Sequence, residues 1–348
     1  IVLGILIILL VYGHIWIGFL YGQRFARAEE CLMLITNGHI VIWGHKGSII
    51  TDGALFVEDD RIADIGTTVD LLNKYPGEKI IDACGNLVMP GNICAHTHFY
   101  GAFARGLSIP GNPPRDFPEI LERLWWQLDQ VLTEEDVKFS ALVCLLDAIK
   151  HGTTTLIDHH ASASCVDGSL DVIADAVKLS GLRSVLCYEV SDRHGTGYTQ
   201  AGIEENLRFI KSVDNGDRHS RLRGMFGLHA SMSLSDNTLE ACSTAVPDGV
   251  GFHIHVAEHN ADQEHSMEKS GLRVVERLQK FGILGPDTIA AHCVHISPHE
   301  TDILSETGTW VTHQPRSNMN NGVGTADVEY MLKNGIRVGL GNDGFSNN

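Results

Sequence analysis

The stretch Cys94–Gly106, "CAHTHFYGAFARG", follows an apolar run ending in "VMPG" and sets His96 and His98 one residue apart. Residues i and i+2 of a strand point to the same face, so these two imidazoles can meet at one point. Further imidazoles and carboxylates close short apolar runs downstream. They are Asp158, His159 and His160 in "TTTLIDHH", Glu189 in "RSVLCYEV" and His229 in "RGMFGLHA". His255 and Glu258 follow in "GFHIHVAEH", His292 and His295 in "TIAAHCVH", His313 in "TWVTHQPRSN" and Asp343 in "IRVGLGND". Imidazole and carboxylate are ordinary Zn2+ ligands, and a catalytic zinc keeps one position for water. A water so held becomes a nucleophile near neutral pH. His96, His98, His255 and Asp343 would make such a site. His253 shares a strand face with His255 in "HIHVAE", so at this level only spacing and context choose between them.

The elements that must carry these residues alternate. Amphipathic stretches such as "EEDVKFSALVCLLDAIKHG", "SLDVIADAVKLSG", "GIEENLRFIKSV" and "GLRVVERLQKFGIL" separate the apolar runs, and several close on Gly, as helices do. Eight strands alternating with helices predict an α/β chain built as a (β/α)8 TIM-type barrel. Its active site would lie at the C-terminal strand ends, where the polar residues fall. A doubly wound open sheet is disfavoured, because no glycine-rich phosphate loop follows the first strand.

Upstream, "CLMLITNGHIVIW", "GALFVEDDRIADIG" and "KIIDACGNLVMPG" read as a small antiparallel sheet. The expected organisation is therefore residues 31–88 as the N-terminal part of a small β domain and residues 89–348 as the barrel. Residues 1–30 form an apolar segment about as long as a membrane span, with Arg24 and Arg27 near its end. It reads as a membrane anchor, an uncleaved signal-like segment or sequence extraneous to the enzyme.

A net charge of −17 argues against a nucleic-acid partner, which needs a basic face. Eight cysteines stand singly with no CxxC pair, the pattern of reduced thiols rather than of a zinc ribbon or a disulfide scaffold. A cytoplasmic location is expected, with anchoring through residues 1–21 as the alternative.

The motifs "PGNICAHTHFYGAFARG", "HIHVAE", "AHCVH", "THQPRSNMNNGVG" and "GLGNDG", met in that order, resemble the amidohydrolase superfamily. They are most similar to its mononuclear aminohydrolases and chlorohydrolases of nitrogen heterocycles. "LWWQLDQ", "IDHHAS" and "RSNMNN" resemble one aminohydrolase group within that branch. The similarity runs from about Leu32 to Asn348. It implies one metal ion, Zn2+ with Fe2+ as the alternative, bound by His96, His98, His255 and Asp343. A bridging lysine of binuclear members has no counterpart at the end of the fourth strand.

The same resemblance implies that Asp343 is the general base, Glu258 the proton shuttle and His292 the group orienting the attacking water. His229 matches a substrate-contacting position. His160 and Asn318 join it as candidate substrate contacts, with a satisfied loop histidine an equal reading of His160 and a loop-orienting role open for "RSNMNN". Trp125 and Trp126 are expected to be buried in the core by their helix, with an aromatic wall for a flat substrate as the alternative. The expected reaction is hydrolytic deamination of an aminated nitrogen heterocycle by a metal-activated water. Hydrolytic dechlorination or cyclic amide hydrolysis by the same site is the alternative, and a non-catalytic or membrane-tethered binding relative is the alternative of another class. The expected partners are a small heterocyclic substrate and further copies in a homo-oligomer.

Members of this family continue past the eighth-strand aspartate with a helix and strands that complete a β-sandwich-like domain. This sequence ends five residues after Asp343. A chain ending there is expected to leave strand edges unpaired and to be unstable or inactive.

Overall fold

A computed structural model describes residues 32–43, 47–108, 111–216 and 218–344, with the backbone alone at residues 10–11 and 14–15. Apart from those four positions, the apolar segment 1–30 and its anchor reading lie outside the described residues. No helix among the described residues is long and apolar enough to cross a membrane. The chain divides into one unit of residues 1–92 and 148–154 and another of residues 93–147 and 155–348.

In the first unit β1 (Leu32–Ile42) is the central strand. It pairs antiparallel with β2 (Ser48–Glu58), which pairs antiparallel with β3 (Arg61–Thr67). On its other side β1 pairs in parallel with β4 (Lys79–Asp82) and β5 (Leu87–Val88). The sheet is therefore mixed, a correction to the antiparallel expectation. The cause is α1 (Thr68–Lys74), capped by Thr67, which accepts from the Asp70 N–H. A helix inserted between two strands returns the chain in the original direction. Alternation of side chains buries Ile35, Ile40, Leu55 and Val57 on one face and Leu34, Ala54, Phe56 and Leu71 on the other.

The second unit is built from eight strand positions, as the alternation predicts. They are β6 (Asn92–His98), β7 (Thr153–His160), β8 (Arg183–Tyr188) and a fourth split into β9 (Leu222–Gly224) and β10 (Phe226–Ala230). Next come β11 (Phe252–Val256), β12 (Ile289–His292), β13 (Trp310–His313) and an eighth split into β14 (Val338–Leu340) and β15 (Asp343–Gly344). Two runs of neighbouring strands result, joined at both seams by backbone hydrogen bonds. At one seam Val190 N–H donates to Gly227 O at 3.1 Å and His229 N–H to Val190 O at 2.9 Å. At the other, Gly341 N–H donates to His313 O at 3.0 Å and Asn342 N–H to His96 O at 3.1 Å. The eighth strand thus bonds both the seventh and the first.

The helices between strands include α2 (Phe117–Leu128, with a π turn at Leu121–Trp125), α3 (Glu134–Lys150), α4 (Ser169–Ser180) and α5 (Thr196–Asp214). They continue with α6 (Asp236–Ala245), α7 (Asn260–Ser270), α8 (Val274–Lys280), α9 (Pro298–Glu306), α10 (Pro315–Asn321) and α11 (Val328–Lys333).

One buried carboxylate knots the α7–α8–α9 corner. Glu300 accepts from Gln263 Nε2 (3.0 Å), Arg273 Nε (2.6 Å) and the backbone N–H groups of Val275 (3.1 Å) and Ser297 (2.8 Å). Burial would raise its pKa, but these donors hold it below the usual carboxylate range. Glu300→Ala leaves buried donors and a guanidinium without their acceptor, at an expected cost of about 3–5 kcal/mol. A depressed folded-state pKa adds stability above the unfolded-state value and loses it as pH falls. The gap between wild type and variant should therefore be full above about pH 5 and shrink below it. Urea unfolding of both proteins across pH 3–7 would check this, and a gap that widened on acidification would refute it.

Candidate metal and catalytic site

The polar groups at the strand ends converge. Ligand atoms of His96, His98, His255 and Asp343 all lie within 4.8 Å of one another. His96 and His98 come from β6, His255 from β11 and Asp343 from β15. The eighth strand comes this close because position 341 is glycine, where a Cβ would stand 2.6 Å from His96 O. Asp343 Oδ1 lies 3.2 Å from His96 Nε2 and 3.0 Å from His98 Nε2.

The outer nitrogens of these rings are engaged. His98 Nδ1–H donates to His159 O at 2.5 Å and His255 Nδ1–H to His229 O at 2.8 Å, while His96 Nδ1 faces His253 Nε2 at 2.8 Å. Such partners orient ligating histidines and fix the tautomer that leaves Nε2 for the metal. His98 Nε2 and His255 Nε2 meet at 3.1 Å beside Asp343, and this inward-facing set of imidazoles and a carboxylate fits a cation.

The electrostatics agree. Burial pushes His96 down to about 3 and His255 well below the usual histidine value. Burial opposes charge on His98 as well, yet Asp343 outweighs it and holds His98 up to about 9. Burial would raise Asp343, but its bonds to His96 and His98 keep it well below the usual carboxylate range. Two groups stand beside the cluster. Glu258 and His292 have ligand atoms within 4.8 Å of Asp343, and His292 Nε2 lies 3.5 Å from Glu258 Oε2. Burial pushes Glu258 up to about 7, against the pull of His292 and with the help of Asp343. A carboxyl that titrates near neutrality can both give and take a proton. Non-glycine residues rarely adopt positive φ, yet His292 (φ 72°) and Asp343 (φ 60°) both do. Such strain concentrates where a site demands a fixed side-chain direction.

A cavity opens onto the cluster. His98, His255, Glu258 and Asp343 line one end, and Tyr100, Phe117, Trp125, Trp126 and His229 line its walls. The Arg193 guanidinium lies over the Trp126 ring, 5.0 Å from its centroid. Arg193 also bridges Glu189 (2.9 Å), which lies beside His98 and His255, and Asp129 (3.1 Å).

Residues 87–348 match the amidohydrolase family along their whole length. The chain belongs to the amidohydrolase family. Over 91% of its length it is 33% identical to a 5'-deoxyadenosine deaminase of Methanosarcina mazei, of which it spans 70%. In fold it resembles a guanine deaminase from C. acetobutylicum solved with bound guanine, with a TM-score of 0.79 at 22% identity, covering 91% of this chain and 75% of that one. It also resembles an atrazine chlorohydrolase from Arthrobacter aurescens TC1 solved with zinc, with a TM-score of 0.76 at 20% identity, covering 91% and 73% respectively. This amidohydrolase is thus a hydrolase of carbon–nitrogen bonds other than peptide bonds, with the barrel fold of its family and a cluster able to hold a metal ion.

Some residues stand elsewhere than the sequence suggests. Trp125 and Trp126 are half-buried: they pack against the cluster of Phe117, Leu121 and Val323 and also line the cavity. His160 is fully buried, hydrogen-bonded to Ser162 Oγ at 2.9 Å, and is not among the residues lining the cavity. Asn318 is also absent from the wall; its Oδ1 accepts from His292 Nδ1 at 2.9 Å. His229 does line the cavity. The Ser233 hydroxyl donates to Ala230 O and so accepts from His229 Nδ1–H at 2.6 Å, which leaves His229 Nε2 as an acceptor. His159 is walled in, with Nε2 3.1 and 3.0 Å from Leu228 O and His253 O and Nδ1 3.2 Å from Glu189. Sequence reasoning missed Ser317, Asn321 and the Asp129–Arg193–Glu189 bridge. The i, i+4 spacing of Ser317 and Asn321 was the available signal for the first two.

Proposed function

We propose that this amidohydrolase removes the exocyclic amino group from a purine-type heterocycle, releasing ammonia. The carrying observation is the Glu258 carboxyl, poised near neutrality beside the His/His/His/Asp cluster at the end of an aromatic-walled cavity. The deaminase activity named for the Methanosarcina mazei relative supports the same reading. One divalent ion, zinc in this proposal, would be held by His96, His98, His255 and Asp343 and would supply the Lewis acidity that makes water nucleophilic.

The chain's own groups then have distinct tasks. Asp343 takes a proton from the attacking water, which bonds to the ring carbon bearing the amine. His292 Nε2, with Nδ1–H committed to Asn318, accepts from that water and orients it. Glu258 delivers its proton to the adjacent ring nitrogen, takes up the proton of the newly added hydroxyl and passes it to the departing nitrogen as the carbon–nitrogen bond breaks; the proton held by Asp343 then restores the Glu258 acid. Trp125 and Trp126 offer flat faces to a planar ring, and His229 Nε2 accepts from a substrate N–H or O–H. A homo-oligomer in the cytoplasm, binding no nucleic acid, belongs to the same proposal.

Ammonia release from aminated purines and their nucleosides tests it, with chlorinated triazines and cyclic amides in parallel. Turnover of an aminopurine compound with one equivalent of ammonia is the expected result. Turnover confined to a chlorinated or cyclic amide substrate would overturn it.

A further inference from the structure

We infer that the short helix α10 is the positioning element of the catalytic centre, with Ser317, Asn318 and Asn321 each holding a different reacting group in place. This inference rests on the roles proposed above for Asp343, His292 and Glu258. Pro315 stands in the first turn of α10, and Gly322 in the left-handed conformation (φ 64°) ends the helix after Asn321. Both are ordinary boundary residues, so the seven-residue length is locally encoded.

Within it, residues four apart share a face. Ser317 Oγ–H donates to Asp343 Oδ2 at 2.5 Å. Asn321 Nδ2 donates one hydrogen to Ser317 Oγ and the other to Glu258 Oε1, both at 3.3 Å. One turn of helix therefore ties the proposed base to the proposed acid through a chain in which the Ser317 hydroxyl gives its one hydrogen to Asp343 and the Asn321 amide gives its two to Ser317 and to ionised Glu258. Asn318, turned about 100° from Ser317, reaches the third group through His292 Nδ1. The residue before the helix completes the set. Gln314 Oε1 accepts the His292 backbone N–H at 3.2 Å, at the position where φ is positive.

Ser317, Asn318 and Gln314 are at most 1% exposed, so their geometry is held by packing on all sides. Met319, on the same helix, is 70% exposed. A helix bearing all three contacts moves them as one body, and the amide–hydroxyl chain keeps both carboxylates aimed at one place.

The test uses Ser317→Ala, Asn318→Ala, Asn321→Asp and Met319→Ala in the full-length protein, with Glu258→Gln as reference. Partners of this kind typically contribute 10–100-fold in activity or metal affinity. The expected result is a roughly 10–100-fold lower kcat for the first three variants with KM within a few-fold. Met319→Ala should be unchanged. Asn318→Asp keeps an oxygen acceptor for His292 Nδ1–H and should recover most of the kcat lost in Asn318→Ala; Asn321→Asp matches asparagine in shape, removes its N–H donors and sets a like charge beside Glu258. A rise in KM with kcat preserved would make these residues substrate contacts and overturn the inference. So would wild-type kinetics in Ser317→Ala and Asn321→Asp while Glu258→Gln is inactive. Full activity of Glu258→Gln would instead sink the catalytic reading beneath it.

Discussion

Glu258→Gln should lower kcat by about 10²–10⁴-fold, the usual contribution of one general acid–base group. Metal content and KM should stay near those of the wild type. The substitution preserves shape and removes only the ability to carry a proton. Glu258 lies beyond the end of β11, three residues after His255, and is grouped with His292 and Asp343 rather than with the three-histidine set. Losing its acidity therefore leaves the proposed ligands in place. The leaving group sharpens the measurement. Ammonia departs only after gaining a proton, whereas chloride departs as an anion. If the enzyme accepts a chlorinated analogue, the variant should lose much less on that substrate. Equal losses on both would remove Glu258 from the protonation of the leaving nitrogen. Unchanged deamination would refute its role altogether.

The alternation of apolar runs and amphipathic stretches made the barrel legible. Once strands alternate with helices, their C-terminal ends must share one mouth, and that is where His96, His98, His255, His292 and Asp343 stand. Choosing His255 over His253 lay beyond periodicity, because both face inward from β11. The structure separates them by depth: His253 is 0% exposed and backs His96, while His255 reaches the cavity wall. The parallel return of β4 was hidden for a different reason. Seven residues of helix between β3 and β4 reverse the expected strand direction, and α1 is too short to announce itself by periodicity. The sequence puts "RSNMNN" near the mouth without revealing the rotation of α10, which aims Asn318 at His292 and Asn321 at the cavity.

Chelation of the metal should abolish turnover and lower the melting temperature, with both restored by one equivalent of Zn2+ per chain. The two effects have one physical source. The cluster is buried, and His98 Nε2 and His255 Nε2 face each other at 3.1 Å with Asp343 beside them. A cation held there is bound by the folded state alone, and such a ligand stabilises that state by about 2.7 kcal/mol at 100 times Kd. Asp343→Ala separates the contributions. It removes one ligand together with the proposed base and frees the Ser317 hydroxyl, so it should bind the metal more weakly and stay inactive even when saturated with zinc. His255→Ala removes a ligand but no proton acceptor, so excess metal should restore part of its activity. Measuring metal content by plasma emission, melting temperature and turnover on the same samples distinguishes the cases. A chelated wild-type protein that still turned over at full rate would exclude the metal from the reaction. An Asp343→Ala protein rescued by excess zinc would instead show that the aspartate serves as a ligand alone.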